Sequence, residues 1–438
     1  MRRRTTALIT LAVAAAAAAG IAVPALAAPG DPAPPVALAD TAGSGQSVID
    51  WNRQLVAILG TAGAQPATVH PTRSFAMLQA AEYDAVVAIT GSGPAYRSTL
   101  TAPAGARPDA AADQAAHDVL AALYPGKLSD LDSQLTGELA AIPDGQPKQD
   151  GIAVGAAAAR QLVALRSADG SAGTPPPFSA GDRPGDYRPT PPKFPAPMYP
   201  GWGSVTPFVL DGPQQFRPPA PPPVSSPEYA AALAEVRDLG RDTSTSRTPD
   251  QTVAGTFWSG TPIWVTWNQV AQQLTADRRA SLNQATAVFS ALDLAMADTT
   301  IALYEAKYAD HVWRPVTAVQ LGAGPDNPAL AADPTWNPLT PTAADPSYPG
   351  AHSALSEAAA VVLAGYAGPG QPVTVSSAAS PGVTRSFPTL AAAADEAGLS
   401  RIWSGQHTRL DHQAGQQLGH QVADLVLRDL PVPLQNAG

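Results

Sequence analysis

The longest helical pattern in this sequence runs from about Arg279 to Tyr308, and it is too long for a β-strand. Shorter segments on both sides share its helical apolar spacing, and none shows the alternation that is typical of strands. These shorter segments are 46–62, 71–90, 109–124, 128–141, 150–167, 227–239, 262–274, 351–366, 388–403 and 406–429. We therefore predict an all-α fold with short loops between most helices.

The charge and the cysteine content of the chain exclude several kinds of function. The net charge is −10, which argues against nucleic acid as a partner because binding to a phosphate backbone favours a basic surface. The absence of cysteine rules out disulfides, thiolate metal sites and cysteine nucleophiles. Lysine is scarce, so any site that needs one must use Lys127, Lys148, Lys193 or Lys307.

The N-terminus has the pattern of a secretory signal peptide over residues 1–27. Three arginines at positions 2–4 precede an apolar run over about residues 7–23, and residues 25–27 match a small-x-small cleavage site. A membrane anchor is the alternative, but the run is short and a cleavage site follows it. We expect a secreted protein with no later membrane span.

Composition divides the rest of the chain into four parts. Residues 28–45 are rich in Ala, Pro, Asp and Gly and are expected to form a flexible leader. An N-terminal helical part follows over 46–172, and a C-terminal helical part over 227–438 carries the chemistry. Between them lies the proline-rich belt (173–226), whose many aromatic residues favour an ordered segment over a free linker.

Three segments in the last third of the chain carry charged and imidazole side chains at close spacing. The first holds Lys307 and Arg314, the second spans 346–353, and the third spans 400–411. Pro315 disfavours helix at Arg314, so the chain turns there and both cations can face one place.

The second and third segments supply histidines and a helix start. A helix is expected to open at about Ala351, where free N–H groups and the helix dipole favour an anion and Gly350 lets the backbone approach it. His352 on the first turn is placed to exchange a proton with that anion. We expect His407 to open another helix, with Asp411 one turn later on the same face to fix the histidine tautomer.

Together these segments provide one lysine, two arginines, two histidines and an aspartate. A tetrahedral oxyanion such as vanadate or phosphate requires such a set, since arginine offers a forked, permanently charged donor and lysine a point charge. The members of the set are Lys307, Arg314, Arg401, His352, His407 and Asp411.

The three segments resemble the signature shared by vanadium-dependent haloperoxidases and the type 2 phosphatidic acid phosphatase superfamily. That signature is Lys-x6-Arg-Pro, then Pro-Ser-Gly-His, then Ser-Arg-x5-His-x3-Asp, and the first and third blocks match at every fixed position. The resemblance implies an all-α helical bundle of the vanadium haloperoxidase and acid phosphatase type. Trp313 and the segments 257–260 and 80–85 resemble bacterial haloperoxidase-like proteins in particular.

Two positions depart from the family pattern. The second block reads Pro349-Gly350-Ala351-His352, so Gly350 replaces the serine whose hydroxyl donates to the oxyanion in the family. Asp345 stands where halogenating members carry an aromatic residue or histidine, and its carboxylate is an unfavourable neighbour for a halide. We therefore expect bromide rather than chloride as the substrate.

The resemblance also implies a cofactor, partners and roles. The cofactor is vanadate, with His407 coordinating the metal, and the partners are hydrogen peroxide, a halide and a small organic substrate. His352 is the implied acid and base, and Asp411 the implied orienting residue. The residues that would surround the oxyanion are Lys307, Arg314, Arg401, Gly350 and Ala351.

Two alternatives use the same residues differently. An acid phosphatase of the same superfamily would use His407 as a nucleophile that forms a phosphohistidine, with His352 protonating the leaving group. A non-catalytic relative would bind the oxyanion without turnover. Trp313, the chain length and the lack of membrane spans favour the haloperoxidase.

Overall fold

The computed structural model describes residues 43–323, 327, 329–378 and 380–430. The predicted signal peptide lies outside these residues, as does nearly all of the predicted flexible leader. Within the described part the regular secondary structure is helical apart from one two-stranded hairpin, so the predicted all-α class is confirmed.

Helices lie on both sides of the proline-rich belt. Those before it are α1 (Gln46–Leu59), α2 (Thr72–Thr90), α3 (Pro108–Leu123), α4 (Leu128–Ala140) and α5 (Gln146–Arg166). Those after it are α6 (Pro227–Gly240), α7 (Pro249–Phe257), α8 (Ile263–Asp277), α9 (Leu282–Asp310), α10 (Pro315–Leu321), α11 (Ala351–Ala367), α12 (Leu390–Trp403) and α13 (Arg409–Asp429). The hairpin pairs β1 (Val373–Ser376) with β2 (Thr384–Phe387) in antiparallel register.

The apolar spacing of the sequence does not predict α7, α10 or the hairpin. Both missed helices are short and begin with a proline at the first helical position, so their apolar residues cover too few turns to show a period. Each strand has four residues, and only β1 alternates between buried and exposed positions. Elements this short are held by the packing around them more than by their own pattern.

Helix α9 is the centre of the structure, and α2, α11 and α13 pack against it. Its side chains are buried on all sides, which explains why its sequence is apolar all round. We expected no span after the signal peptide, but α9 is long and apolar enough to cross a membrane. It is the only described helix that meets this criterion. Its apolar stretch is wholly buried within the protein, as in other core helices that meet the same criterion.

Helices α11 and α13 approach closely because α13 presents two glycines to α11. A Cβ on Gly415 would lie 2.4 Å from the carbonyl oxygen of Gly350, and a Cβ on Gly419 would lie 2.1 Å from that of Ala354. No side chain fits these spaces. The close contact holds the N-terminal parts of both helices together, where several predicted site residues lie.

The proline-rich belt is tied to α9 by a buried carboxylate. Asp298 accepts hydrogen bonds from the backbone N–H groups of Phe208, Val209 and Leu210, at 2.6, 2.7 and 2.8 Å. Burial raises the pKa of this carboxyl, and the three backbone donors oppose that rise. The belt also contributes Met198 and Tyr199 to the cavity that holds the candidate site.

Candidate oxyanion site

A cavity of about 320 Å³ lies where residues of α8, α9 and α11 meet the belt and the loop before α2. Predicted site residues that line it are Arg314, Ala351, His352, Arg401 and His407. Lys307, Gly350 and Asp411 do not line the cavity. Lys307 pairs with Asp345 and Asp411 with His407, both of which line it, and Gly350 immediately precedes Ala351 in the chain. The structure thus brings the three sequence segments to one place.

Lys307 and Arg314 meet at a single aspartate. The buried ammonium of Lys307 donates to the backbone carbonyls of Pro346 and Ser347, the latter at 3.1 Å, and lies 3.3 Å from the carboxylate of Asp345. Arg314, in extended backbone just before α10, donates from Nε to the Asp345 carbonyl oxygen at 2.7 Å and from Nη2 to its carboxylate. The two cations therefore share one counter-ion.

Asp345 has a larger role than the sequence predicted for it. From sequence it is only an unfavourable neighbour for a halide, whereas the structure places it in two ion pairs. Burial by itself would raise the pKa of this carboxyl, but the charges of Lys307 and Arg314 outweigh burial and lower the pKa to about 2. Asp345 is therefore ionised at any ordinary pH and partly neutralises the cations.

Arg401, on α12, is a buried guanidinium without a carboxylate partner among the described residues. Its Nη1 donates to the hydroxyl of Ser259, and its Nε has no hydrogen-bond partner in the described part of the chain. Burial and the charge of Arg314 lower the pKa of Arg401, although a guanidinium stays charged at neutral pH. An unpaired buried charge is costly, so an anion in the cavity would stabilise this residue.

His407 lies just outside α13, not on its first turn as expected. The helix begins at Arg409, and its N-cap Thr408 forms a capping box with Asp411. The Asp411 carboxylate accepts from the Thr408 N–H and the Ser347 hydroxyl, both at 2.7 Å, and from His407 Nδ1 at 3.2 Å. The capping box, and not a shared helical face, therefore brings His407 and Asp411 together.

These contacts determine the protonation of His407. Because the carboxylate of Asp411 only accepts, Nδ1 carries the proton and Nε2 keeps a lone pair, which faces Nη1 of Arg314 at 3.1 Å. Burial and the charge of Arg314 lower the pKa of His407 to about 3, so the ring is neutral. A neutral imidazole with an unprotonated nitrogen is the form that binds metals.

His352 occupies the first turn of α11, as predicted, and is half-buried at the cavity. Its Nε2 lies 3.0 Å from the carbonyl oxygen of Trp258, which only accepts, so Nε2 carries the proton and Nδ1 is the basic atom. Burial and the charge of Arg401 hold the pKa of His352 well below its ordinary value. His352 is thus neutral and can accept a proton at Nδ1.

Gly350 faces α13 in this structure. Its N–H donates to the carbonyl oxygen of Asp411 at 2.8 Å, and a Cβ at this position would lie 3.1 Å from the same oxygen. The expected role of this glycine is to let the backbone approach a ligand, but in the structure it lets α11 approach α13. The side chain of a serine at this position would begin against α13.

Sequence reasoning missed Ser347, Ser259 and His70. Ser347 lies in the second segment, three residues before Gly350, so its bond to Asp411 was within reach of a motif argument. Ser259 belongs to a segment noted only for its resemblance to haloperoxidases. No signal in the sequence points to His70, which reaches the cavity from the other half of the chain.

The affinity of this site for sulfate should fall as the pH rises through about 8. Burial lowers the pKa of Lys307 to about 8; the charge of Asp345 opposes this shift, and that of Arg314 adds to it. Below this pH the ammonium is charged and attracts an anion, and above it the charge is lost. Calorimetric titration with sulfate, whose own charge is constant in this range, measures the change.

A Lys307→Met variant is the control for this titration. It should bind sulfate more weakly throughout and should lack the loss of affinity near pH 8. An unchanged alkaline loss in the variant would assign the effect to another group.

One family model and several solved structures are similar to this chain. Residues 287–433 match the family model of the VCPO second helical-bundle domain. No curated protein matches the chain. The match agrees in position with the segments that carry the three motifs.

Solved structures of vanadium-dependent haloperoxidases share the fold. A bacterial vanadium-dependent iodoperoxidase aligns with a TM-score of 0.75 and 24% identity, over 89% of this chain and 97% of that one. A holo-type bacterial vanadium-dependent chloroperoxidase gives 0.62 and 17%, over 82% and 91%, and an apo-type structure gives 0.62 and 16%, over 85% and 95%. These structures show a shared fold, and the family model over 287–433 agrees with the resemblance that the motifs indicate.

Proposed function

We propose that this chain, whose resemblance to the vanadium haloperoxidases extends from its motifs to its fold, is a vanadate-dependent haloperoxidase that oxidises halide with hydrogen peroxide. The family match and the fold support this proposal. The three cations and two histidines gathered at one cavity support it independently.

The observation that carries the proposal is unmatched positive charge at the cavity. Lys307, Arg314 and Arg401 are buried there, while Asp345 is the only carboxylate paired with any of them among the described residues. Asp411 instead bonds to neutral His407. Even with both Asp345 and Asp411 counted, the three cations leave one positive charge unbalanced, and that charge favours a bound anion.

Vanadate fits the residues present. Arg401 has a guanidinium nitrogen without a partner among the described residues, and His407 has a lone pair at Nε2. Vanadate, when bound, would supply the activation of hydrogen peroxide toward halide. Lys307, Arg314 and Arg401 would balance its negative charge, and His407 would hold it.

Asp411 and His352 would have distinct roles. Asp411 keeps the proton of His407 on Nδ1, so that Nε2 stays available, and its bonds to Ser347 and Thr408 fix its own position. His352 would accept a proton from hydrogen peroxide at Nδ1 and return it to the departing oxygen, because it is neutral and borders the cavity.

We infer bromide rather than chloride as the halide. Asp345 adds negative charge beside the cavity, which weakens the electron-withdrawing effect of Lys307 and Arg314 on a bound oxidant. Chloride is harder to oxidise than bromide and requires the stronger oxidant. The iodoperoxidase among the structural neighbours is consistent with an easily oxidised halide.

The proposal includes export from the cell. The basic start, the apolar run and the small-x-small site over residues 1–27 support it. Analysis of the N-terminus of protein recovered from the culture medium would locate the cleavage near residue 28.

A paired assay on the purified protein tests the function. One arm supplies orthovanadate, hydrogen peroxide and bromide and follows bromination of a dione. The other omits vanadate and follows hydrolysis of a chromogenic phosphate ester. Vanadate-dependent bromination supports the proposal, whereas phosphatase activity that vanadate inhibits would replace it with the phosphatase alternative. Vanadate binding without turnover in either arm would leave an oxyanion-binding relative.

An Arg401→Met variant links the activity to the unmatched charge. Bromination at limiting vanadate should fall by roughly 10- to 100-fold, the effect of losing a hydrogen bond to a charged group. The anion-free protein should be no less stable, because an unpaired buried cation has been removed. Arg428→Met, an exposed arginine on α13, is the matched control.

A further inference from the structure

One side of the cavity is built from aromatic rings that have no part in the proposed oxyanion chemistry. We call His70, Tyr199, Trp264 and Tyr304 the aromatic wall, and all four line the cavity. The ring centroid of His70 lies 4.7 Å from that of Trp264 and 4.9 Å from that of Tyr199, and the rings of Tyr199 and Tyr304 are 5.2 Å apart. The rings meet at steep angles, so the wall combines ring faces and edges.

His70 contributes a neutral hydrogen-bond donor to this wall. The backbone N–H of Thr72 donates to Nδ1 at 3.4 Å, so the ring proton is on Nε2. Burial lowers the pKa of His70 to about 3, against an opposing effect of Asp345, and the ring is uncharged. The side chain is 3% exposed, and Nε2 has no hydrogen-bond partner among the described residues.

Tyr304 contributes a second neutral donor. Its side chain is buried on α9, and within the described residues its hydroxyl has no hydrogen-bond partner. Burial raises the pKa of this hydroxyl far above its ordinary value, so the proton is retained. The centroids of the Tyr304 and His70 rings lie 5.8 Å apart, close enough for both donors to serve one ligand.

The surroundings of these donors favour an uncharged ligand. Ile263, Leu303 and Leu355 also line the cavity and are apolar. His70 and Tyr304 are both uncharged, so the wall itself offers an anion no counter-charge. Pockets of this kind bind flat apolar molecules and orient them through a few polar contacts.

We propose that the aromatic wall binds an uncharged, planar aromatic molecule whose oxygen atom accepts hydrogen bonds from His70 Nε2 and the Tyr304 hydroxyl. The use of this molecule as the substrate of halogenation rests on the proposed function, but its binding does not. As a substrate, it would exchange a ring proton for the halogen of hypohalous acid formed from halide and peroxide, with release of water.

Calorimetric titration with two neutral probes tests the inference. Acetylnaphthalene carries a carbonyl acceptor, and ethylnaphthalene has nearly the same shape without it. The purified protein, without vanadate or peroxide, should bind acetylnaphthalene about tenfold more tightly, the effect of one or two net hydrogen bonds. Since no turnover is involved, a failure here is distinct from a failure of the halogenation assay.

Two ring-preserving variants identify the donors. Tyr304→Phe and His70→Phe should each weaken acetylnaphthalene binding by about three- to tenfold and leave ethylnaphthalene binding unchanged. Tyr304→Phe removes only a hydroxyl, so it keeps the test valid if the His70 variant does not fold. Tyr366→Phe is the matched control, because its hydroxyl is buried outside the cavity.

Competition with sulfate separates the wall from the oxyanion site. Saturating sulfate should leave acetylnaphthalene affinity unchanged, since the two ligands would use different residues. Competitive displacement by sulfate would overturn the proposal, as would equal affinities for the two probes. Undiminished preference for acetylnaphthalene in both variants would overturn it as well.

Discussion

Replacement of His407 with alanine is expected to abolish vanadate-dependent halide oxidation, down to the rate seen without protein. The reason is specific to coordination: the side chain is neutral, and Nε2, which here accepts from Nη1 of Arg314, is the unprotonated nitrogen that can bind a metal. Vanadate binding, measured by equilibrium dialysis, should be lost together with activity.

Sulfate separates the loss of coordination from a general loss of the site. Sulfate takes hydrogen bonds from Lys307, Arg314 and Arg401 but forms no bond to a nitrogen lone pair. Its affinity for His407→Ala should therefore stay within about tenfold of the original value. His420→Ala is the matched control, because this histidine on α13 is exposed and pairs with Glu357. A variant that binds vanadate and sulfate with unchanged affinities would contradict the coordinating role.

Replacement of Asp345 with asparagine should tighten anion binding and destabilise the anion-free protein. The carboxylate now competes with any anion for Lys307 and Arg314. Two unit charges about 6 Å apart interact by roughly 3 kcal/mol at an effective dielectric constant of about 20, so sulfate affinity should rise by roughly 100-fold. Removing one partner of a buried ion pair costs about 3–5 kcal/mol in the absence of a ligand.

Thermal unfolding with and without sulfate measures both effects in one experiment. The asparagine variant should unfold at a lower temperature without sulfate and gain more stability than the original protein when sulfate is added. Asp333→Asn, which breaks a partly exposed ion pair with Arg241, should leave the unfolding temperature nearly unchanged with and without sulfate. Weaker sulfate binding by Asp345→Asn would show that the carboxylate supports the anion instead of competing with it.

Much of the fold follows from local patterns that the sequence displays. Long helices such as α2, α9 and α13 were predicted close to their observed bounds, because their apolar residues span enough turns to establish a period. The short helices α7 and α10 and the hairpin were missed, since a few residues carry too little pattern. The start of α13 was placed too early, because the Thr408 cap outweighs the periodicity that continues through His407.

The sequence by itself determined which residues could hold an oxyanion, because the spacing that identifies them is contained in short segments. Lys307 and Arg314 are separated by less than two helical turns, and His407 and Asp411 by about one. The same spacing carries the family resemblance. The net charge and the lysine count can also be read from the sequence, and they indicate a site. An acidic chain with four lysines has little reason to cluster cations otherwise.

Only the tertiary structure decided how those cations are balanced and what shares their cavity. Asp345 meets Arg314 across 31 positions of sequence, and His70 reaches the cavity from the loop before α2. Such contacts form when α2, α11 and the belt pack around α9, and no local period encodes them. Burial then sets the charge states: it lowers the pKa values of His70 and His407, while ion pairing keeps Asp345 ionised.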